Sequence, residues 1–481
     1  MSTAPTQPAE QRQFVAPSEQ DPFVAAASTV IGGPIGRLAA PLSRSYWTVL
    51  RVLVVMTSAG FALGLLQKIP CMTTNWQQPS EYTHLCYSDM PPLFSLRGFA
   101  DHVFPYIHQP LPGQEQLEYP VLTGMFMQLA NVMSPRSALW FYLINSLLLL
   151  VCAICAVLAT ALTVKRRPWD AAMVALAPAG ILTATINWDL LPVALTAIFM
   201  LLWARRYPFA AGVFLGLATA AKFYPILLIG PLLLLCWRAG KWRELGLTVA
   251  GTAASWLAVN VPFMVANFDG WAHFYTFSSE RGQDFGSVWL ALSNVGLSVP
   301  AESLNLLASG LFLLLCVLIA ILVARAPRRP RFASLAFLTV AAFLLTNKVY
   351  SPQYVLWLIP LAVLARPRWR DFLVWQVGQC IYFVGIWLYL AGLQEGTKGL
   401  PSEWYTLAIA IHIASTLYFV GFVIRDILRP ENDPVRTDGF VEDSDDPGGG
   451  VLDGSPDRAG WGINMNSQAF IEHDSEHVAS V

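Results

Sequence analysis

Charge is scarce in this chain. Only 13% of its 481 residues are Asp, Glu, Lys or Arg, where a soluble domain carries about 25%. That shortage, beside 55% apolar residues, excludes an ordinary soluble enzyme and points to a chain that crosses a bilayer many times. Several chemistries lack their motifs as well. There is no P-loop, no GxGxxG, no Cys/His spacing of a zinc site and no Ser-His-Asp arrangement. No soluble stretch is long enough to hold a nucleotide cofactor, so the substrates of an enzyme built this way arrive through the membrane. The first 45 residues contain no long apolar run; the expectation is no cleavable signal peptide, with the first hydrophobic segment retained as an anchor.

Cysteine is sparse and mostly apolar in setting. Of the seven, Cys152, Cys155, Cys236, Cys316 and Cys380 lie in hydrophobic runs and read as small hydrophobes. Cys71 and Cys86 lie in a polar loop and pair if that loop faces an oxidising compartment.

What the chain does have is a series of apolar segments, near 47–66, 136–163, 170–187, 190–204, 207–221, 223–237, 245–266, 303–324, 332–346, 354–365, 371–392 and 404–424. A helix needs about 20 apolar residues to cross the hydrocarbon core, so these read as about twelve spans. The basic clusters Lys165–Arg167, Arg205/Arg206, Arg238/Lys241/Arg243, Arg325/Arg328/Arg329/Arg331, Arg366/Arg368/Arg370 and Arg425/Arg429 each follow an even-numbered span. Lys and Arg accumulate in cytoplasmic loops. The expectation is a multi-pass plasma-membrane protein with both termini cytoplasmic. Residues 46–428 form the membrane domain, with outer loops at 68–135 and 267–302. Residues 1–45 and the acidic, Gly-rich 429–481 read as disordered cytoplasmic tails. The stretch 119–133 breaks this parity and reads as an interfacial or re-entrant helix.

Some spans are short. Fifteen helical residues reach only about 22 Å, and short spans flank the polar tips "NWD" (187–189), "AKFYP" (221–225) and "TNKVYSPQ" (346–353). Such tips can sit in a water-filled cavity open to the outside; local bilayer thinning with lysine snorkelling is the plainer alternative. Intramembrane charge is costly and marks function. Here it is Asp189, Lys222 and Lys348, all at outer ends. Two lysines suit an anionic headgroup such as a phosphate. Asp89, in "CYSDMPPLFSLRGFADHVFPY", is by spacing alone a solvated loop residue or an N-cap for "MPPLFSL", and a candidate general base if it faces that pocket. Arg281, in "FYTFSSERGQDFGSVW", is the residue of the second loop to test. His102 and His273 are conceivable acceptor contacts; no histidine has metal-ligand spacing.

Taken together, "YSDMP", "RGFADHVFPY", "LEYPVLTG", "NWDLLPVAL", "AAKFYPILL" and "NKVYSPQYVLWLIPL" resemble glycosyltransferase family 87 over roughly residues 50–425. This GT-C-type group includes the polyprenol-phosphate-mannose-dependent mannosyltransferases of actinobacterial phosphatidylinositol mannoside synthesis. The resemblance implies an all-α polytopic membrane protein, a GT-C-like bundle. It implies transfer of mannose, or alternatively arabinofuranose, from a polyprenyl-phosphate sugar to a cell-envelope glycolipid or glycan. Attack is inverting, with Asp89 as the base. The phosphate leaving group calls for Lys222, Lys348 and Arg281. Tyr119, Asn187, Asp189, Tyr224, Asn347, Tyr350 and Gln353 would line the substrate cavity. No metal or other cofactor is expected, since no diphosphate needs neutralising, and no nucleic-acid partner. The competing reading is a flippase or transporter of lipid-linked sugars.

Overall fold

The computed structural model describes residues 14–15, 17–30, 46–441 and 444–459. Among these residues the regular structure is helical, with no strand. Among the described residues six helices are long and apolar enough to cross a membrane: α1 (Val49–Gln67), α4 (Ala138–Thr163), α9 (Trp242–Ala266), α11 (Ala301–Arg325), α14 (Trp369–Gly392) and α15 (Ser402–Leu428). Shorter apolar helices complete the bundle. They are α3 (Val121–Met133), α6 (Leu190–Ala204), α7 (Pro208–Ala221), α8 (Ile229–Ala239), α12 (Phe332–Thr346) and α13 (Val355–Ala365); α2 (Met90–Leu96), α5 (Pro178–Thr183) and α10 (Phe268–Glu280) lie in the connections. The chain is a multi-pass membrane protein.

Why some spans are short is plain from burial. Every residue of α13 is buried, and nearly all of α12. By contrast α11 presents Leu306, Leu313 and Leu314 outward. The short helices are apolar all round because protein surrounds them; the long ones face lipid. Helices α7 and α9 approach until backbones touch. A Cβ on Gly212 would lie 2.1 Å from the Thr248 carbonyl oxygen, and one on Gly251 2.3 Å from that of Phe209. Small residues make such contact possible in lipid, where packing and not water exclusion drives association.

Two expectations change. Residues 170–187 are not one helix: they break into turns and short helices at 168–171, 172–175 and 178–183. Pro168 and Pro178 each open a new turn, and a residue preceding proline leaves the α region; Ala177 has ψ 113°. The larger correction is the C-terminal tail. Its described residues, 430–441 and 444–459, do not hang free; they lie against the basic clusters. Arg331 Nε donates to Asp433 at 2.7 Å, Arg166 Nε to Asp438 at 2.6 Å, Arg238 Nε to Asp457 at 2.9 Å, and Arg329 to Asp445 at 2.7 Å and Asp457 at 2.8 Å. The acidic composition that suggested disorder is the complement of the arginines. Part of the N-terminal segment docks at this same end, where the Trp369 N–H donates to Asp21 at 2.8 Å.

The segment 119–133 forms α3, packed on the bundle at the end opposite the basic clusters. Thr123 Oγ1 donates to the Ala221 carbonyl at 2.7 Å, tying α3 to the end of α7.

Candidate active site

The end opposite the arginines is where the polar tips converge. Asp89 occupies the N-cap position of α2 yet makes no capping bond. Its carboxylate instead accepts a hydrogen bond from the Tyr119 hydroxyl at 3.3 Å. The segment before it is pinned to the turn after α5: the Asp89 N–H donates to the Ile186 carbonyl at 2.8 Å and Ser88 Oγ to that of Thr185 at 2.8 Å. Two prolines at the start of α2, Pro91 and Pro92, lack the amides an N-cap would satisfy, which frees the carboxylate to turn away. Burial raises the Asp89 pKa to about 6; the Tyr87 hydrogen bond and Lys222 oppose that rise, while Glu118 and Asp189 add to it. A base with a pKa close to the working pH is well matched to proton abstraction.

Lys222 ends α7 in extended backbone, φ −158° and ψ 147°. Its ammonium lies 2.9 Å from Asp189 Oδ1 and 5.1, 5.7 and 5.8 Å from the ring centroids of Tyr119, Tyr354 and Trp357. An aromatic box of this kind holds a cation through the ring faces. Burial works against its charge, but Asp189 and Tyr354 outweigh burial and hold Lys222 above the ordinary lysine value. Asp189 is only 1% exposed, and its Oδ2 has no hydrogen-bond partner among the described residues. Arg281, at the end of α10, is fixed by Asp284, Nε to Oδ2 at 2.7 Å. Its charge acts on Tyr354 and Tyr119. So Asp89, Tyr119, Lys222, Asp189 and Tyr354 form one charged cluster with two aromatic hydroxyls, and the charge of Arg281 acts on it.

The family model named Glycosyltransferase family 87 matches residues 117–347. Over those residues, just under half of the chain, the sequence is similar to that family. No curated protein matches. The chain is similar to a crystal structure of ArnT from Cupriavidus metallidurans bound to undecaprenyl phosphate, at 16% identity and a TM-score of 0.44, over 79% of this chain and 77% of that one. The matched segment holds Tyr119, Asp189, Lys222 and Arg281. Asp89 lies before it, and Tyr354 after it.

The rest of the expected cavity residues fall elsewhere. Lys348 is the principal correction. Its ammonium donates to the carbonyls of Ser278 at 3.0 Å, Ser279 at 3.2 Å and Arg281 at 2.6 Å. An ammonium has three donors, and all three are engaged at the C-terminus of α10, where the helix dipole favours a cation. Lys348 therefore fastens the loop carrying Arg281 and is not free for a phosphate. The fastening is continued by the Asp284 N–H to the Lys348 carbonyl at 2.9 Å and the Tyr350 N–H to that of Phe285 at 3.1 Å. Gly286, with φ +77°, is required here: a Cβ would lie 2.1 Å from the Tyr350 carbonyl oxygen.

Asn347 caps its own turn, donating to the Val349 carbonyl. Asn187 also closes its own turn, its Oδ1 accepting from the Asp189 N–H at 3.0 Å. Tyr350 points away from the pocket, onto His412 and Thr416. Tyr224 is a wall, stacked on Trp357 at 4.4 Å with its hydroxyl near Thr196. Gln353 is buried in the 3₁₀ turn that presents Tyr354. His102 is exposed and His273 half-buried, and neither joins the pocket. Cys71 and Cys86 are disulfide-bonded. Among the described residues no three His, Cys, Asp or Glu side chains gather as a metal site. Sequence reasoning missed Tyr354, Trp357, Tyr87 and Lys68. Aromatics are routine near membrane interfaces, so nothing in their spacing marks these as a box around one lysine.

Proposed function

We propose that this protein transfers a glycosyl group from a polyprenyl-phosphate sugar to an acceptor hydroxyl on the outer face of the membrane, with the basic end cytoplasmic. The observation that carries this is Tyr119: its hydroxyl bonds the Asp89 carboxylate while its ring faces the Lys222 ammonium. A base and a phosphate-binding cation thus stand on either side of one residue. Asp89 takes the proton of the acceptor hydroxyl. That oxygen forms a bond to the anomeric carbon as the bond from carbon to the phosphate oxygen breaks on the opposite side. The electron pair leaves with the phosphate, released as a lipid phosphate monoester beside Lys222, Arg281 and Tyr354. Charge stabilisation by preset groups in a low-dielectric site is commonly a large part of catalysis.

A crevice lined by Phe61, Leu190, Val193, Leu356, Ile359 and Pro360 lies among the neighbouring helices. It holds none of the charged groups and suits hydrocarbon, which supports a lipid-borne donor. The test is transfer by the purified protein from radiolabelled polyprenyl-phosphate mannose, and then the arabinofuranose donor, to a glycolipid acceptor extract. Glycosylated product is expected from the wild type, and its loss in Asp89→Asn. Wild-type turnover in Asp89→Asn overturns the assignment of the base.

A further inference from the structure

Lys68 is fully buried, 0% exposed, and no step above uses it. It ends α1. Its ammonium donates to the Tyr87 carbonyl at 2.8 Å, and among the described residues that is the one acceptor it meets; the Phe383 ring centroid lies 5.9 Å away. A buried cation with so few partners is expensive unless an opposite charge compensates it. The opposite charge acting on it is Asp89, two residues beyond the carbonyl Lys68 holds, and it offsets the cost of burial in part. The helix Ile69–Thr74 that follows Lys68 carries Cys71, disulfide-bonded to Cys86. Residues 86–89 are thus gripped from one side by the disulfide and Lys68, and from the other by the carbonyls of Thr185 and Ile186.

We propose that Lys68 is a positioning residue for Asp89, holding the Tyr87 carbonyl and placing a positive charge behind the carboxylate that faces the acceptor. This rests on the reading of Asp89 as the base. The groups acting on Asp89 are accounted for around it. Tyr87 and Lys222 favour its ionised form, and Glu118 and Asp189 oppose it. Glu81, Tyr82 and Tyr119 also interact with it. Lys68 is a further cation whose charge acts on it. Burial brings the Lys68 pKa down to about 7, with Asp89 pulling it up. Between the Asp89 value of about 6 and that of Lys68, both groups are charged. Below that window Asp89 takes a proton and the base is lost.

The experiment uses the full chain in lipid nanodiscs. Infrared difference spectroscopy follows the Asp89 carboxyl, identified by its absence in Asp89→Asn, while kcat/KM is measured against pH. Lys68→Gln keeps a donor for the Tyr87 carbonyl and removes the charge. It is expected to raise both the carboxyl titration and the acid limb of the profile by about one pH unit, since a nearby opposite charge lowers a carboxyl pKa by about that much or more. Lys68→Arg is expected to leave both near wild type. Should Lys68→Gln not accumulate, Lys68→Met gives the same comparison without a buried polar end. An unmoved Asp89 titration in the uncharged variant overturns the proposal even if Asp89→Asn is inactive. A moved titration with full turnover in Asp89→Asn leaves Lys68 as the positioning residue and removes Asp89 as the base.

Discussion

The two ends of the helical bundle both concentrate buried ions and treat them in opposite ways. At the basic end the capacity of the arginines is filled. Arg331 is 2% exposed; it meets both oxygens of Asp433 and the carbonyls of Leu364 and Ala365. Arg366 meets Asp371 and Asp426, and Arg329 meets Asp445, Asp457 and two carbonyls. At the other end capacity is left over. One oxygen of Asp189 lacks a partner among the described residues. Asp89 is half-buried with a long bond from Tyr119 and a second tyrosine, Tyr87, beside it, and Lys222 has one carboxylate and three ring faces. Filled networks fix shape; part-filled ones leave donors and acceptors for a ligand.

That contrast can be broken by mutation. The largest effect belongs to Asp89→Asn: turnover falls by about 10² to 10⁴-fold, the range of general acid–base catalysis, with little change in melting temperature. Equal losses of activity and stability would place Asp89 with the structural ions instead. At the basic end the signs reverse. Arg331→Met leaves the buried Asp433 with only Arg436 as its cation, at 4.0 Å, and unfolding, followed by denaturant titration in detergent, is expected to lose about 3–5 kcal/mol. Activity per folded molecule stays near wild type. Restoring stability by pairing Arg331→Met with Asp433→Leu sharpens the point, because a buried pair replaced by apolar residues is often tolerated.

Lys222→Gln comes next. It removes one preset charge from the leaving-group side, and kcat is expected to fall by about 10² to 10³-fold, as for loss of a single stabilising donor. A fall confined to KM would make Lys222 a ground-state binding residue. The smallest effect is at Lys348. Lys348→Arg keeps a cation at the end of α10 and is expected to be nearly neutral. Lys348→Ala strips three carbonyls of their partner, costs about 1–3 kcal/mol in stability, and raises the donor KM through a displaced Arg281. A larger loss of turnover than in Lys222→Gln would return Lys348 to the phosphate.

Much of the bundle was legible because lipid imposes one rule: backbone groups must be satisfied within the segment. The apolar runs at 136–163, 245–266 and 332–346 match α4, α9 and α12 within a few residues for that reason. The run at 170–187 misled because hydropathy does not register where proline stops a helix. Lys348 misled because a lysine between two apolar runs looks the same whether it meets a phosphate or three carbonyls. The tail misled because a segment rich in Asp and Gly lacks the apolar surface to fold alone, and composition does not show that its partners lie on distant loops.

The sequence by itself determined that this is a polytopic helical protein, that its arginines gather at one end, and that Asp89, Asp189 and Lys222 lie at the other. Those conclusions follow from length, hydropathy and the spacing of charge along the chain. Only the tertiary structure decided which charges are spoken for. It joined Asp433 to Arg331 across 102 residues, closed Lys348 onto α10, set Tyr354 and Trp357 around Lys222, and seated Lys68 on the Tyr87 carbonyl two residues before Asp89. The physical reason is that a side chain's role depends on its complement of partners in three dimensions. Desolvation makes each missing partner costly, and partners distant in sequence meet only when the helices pack.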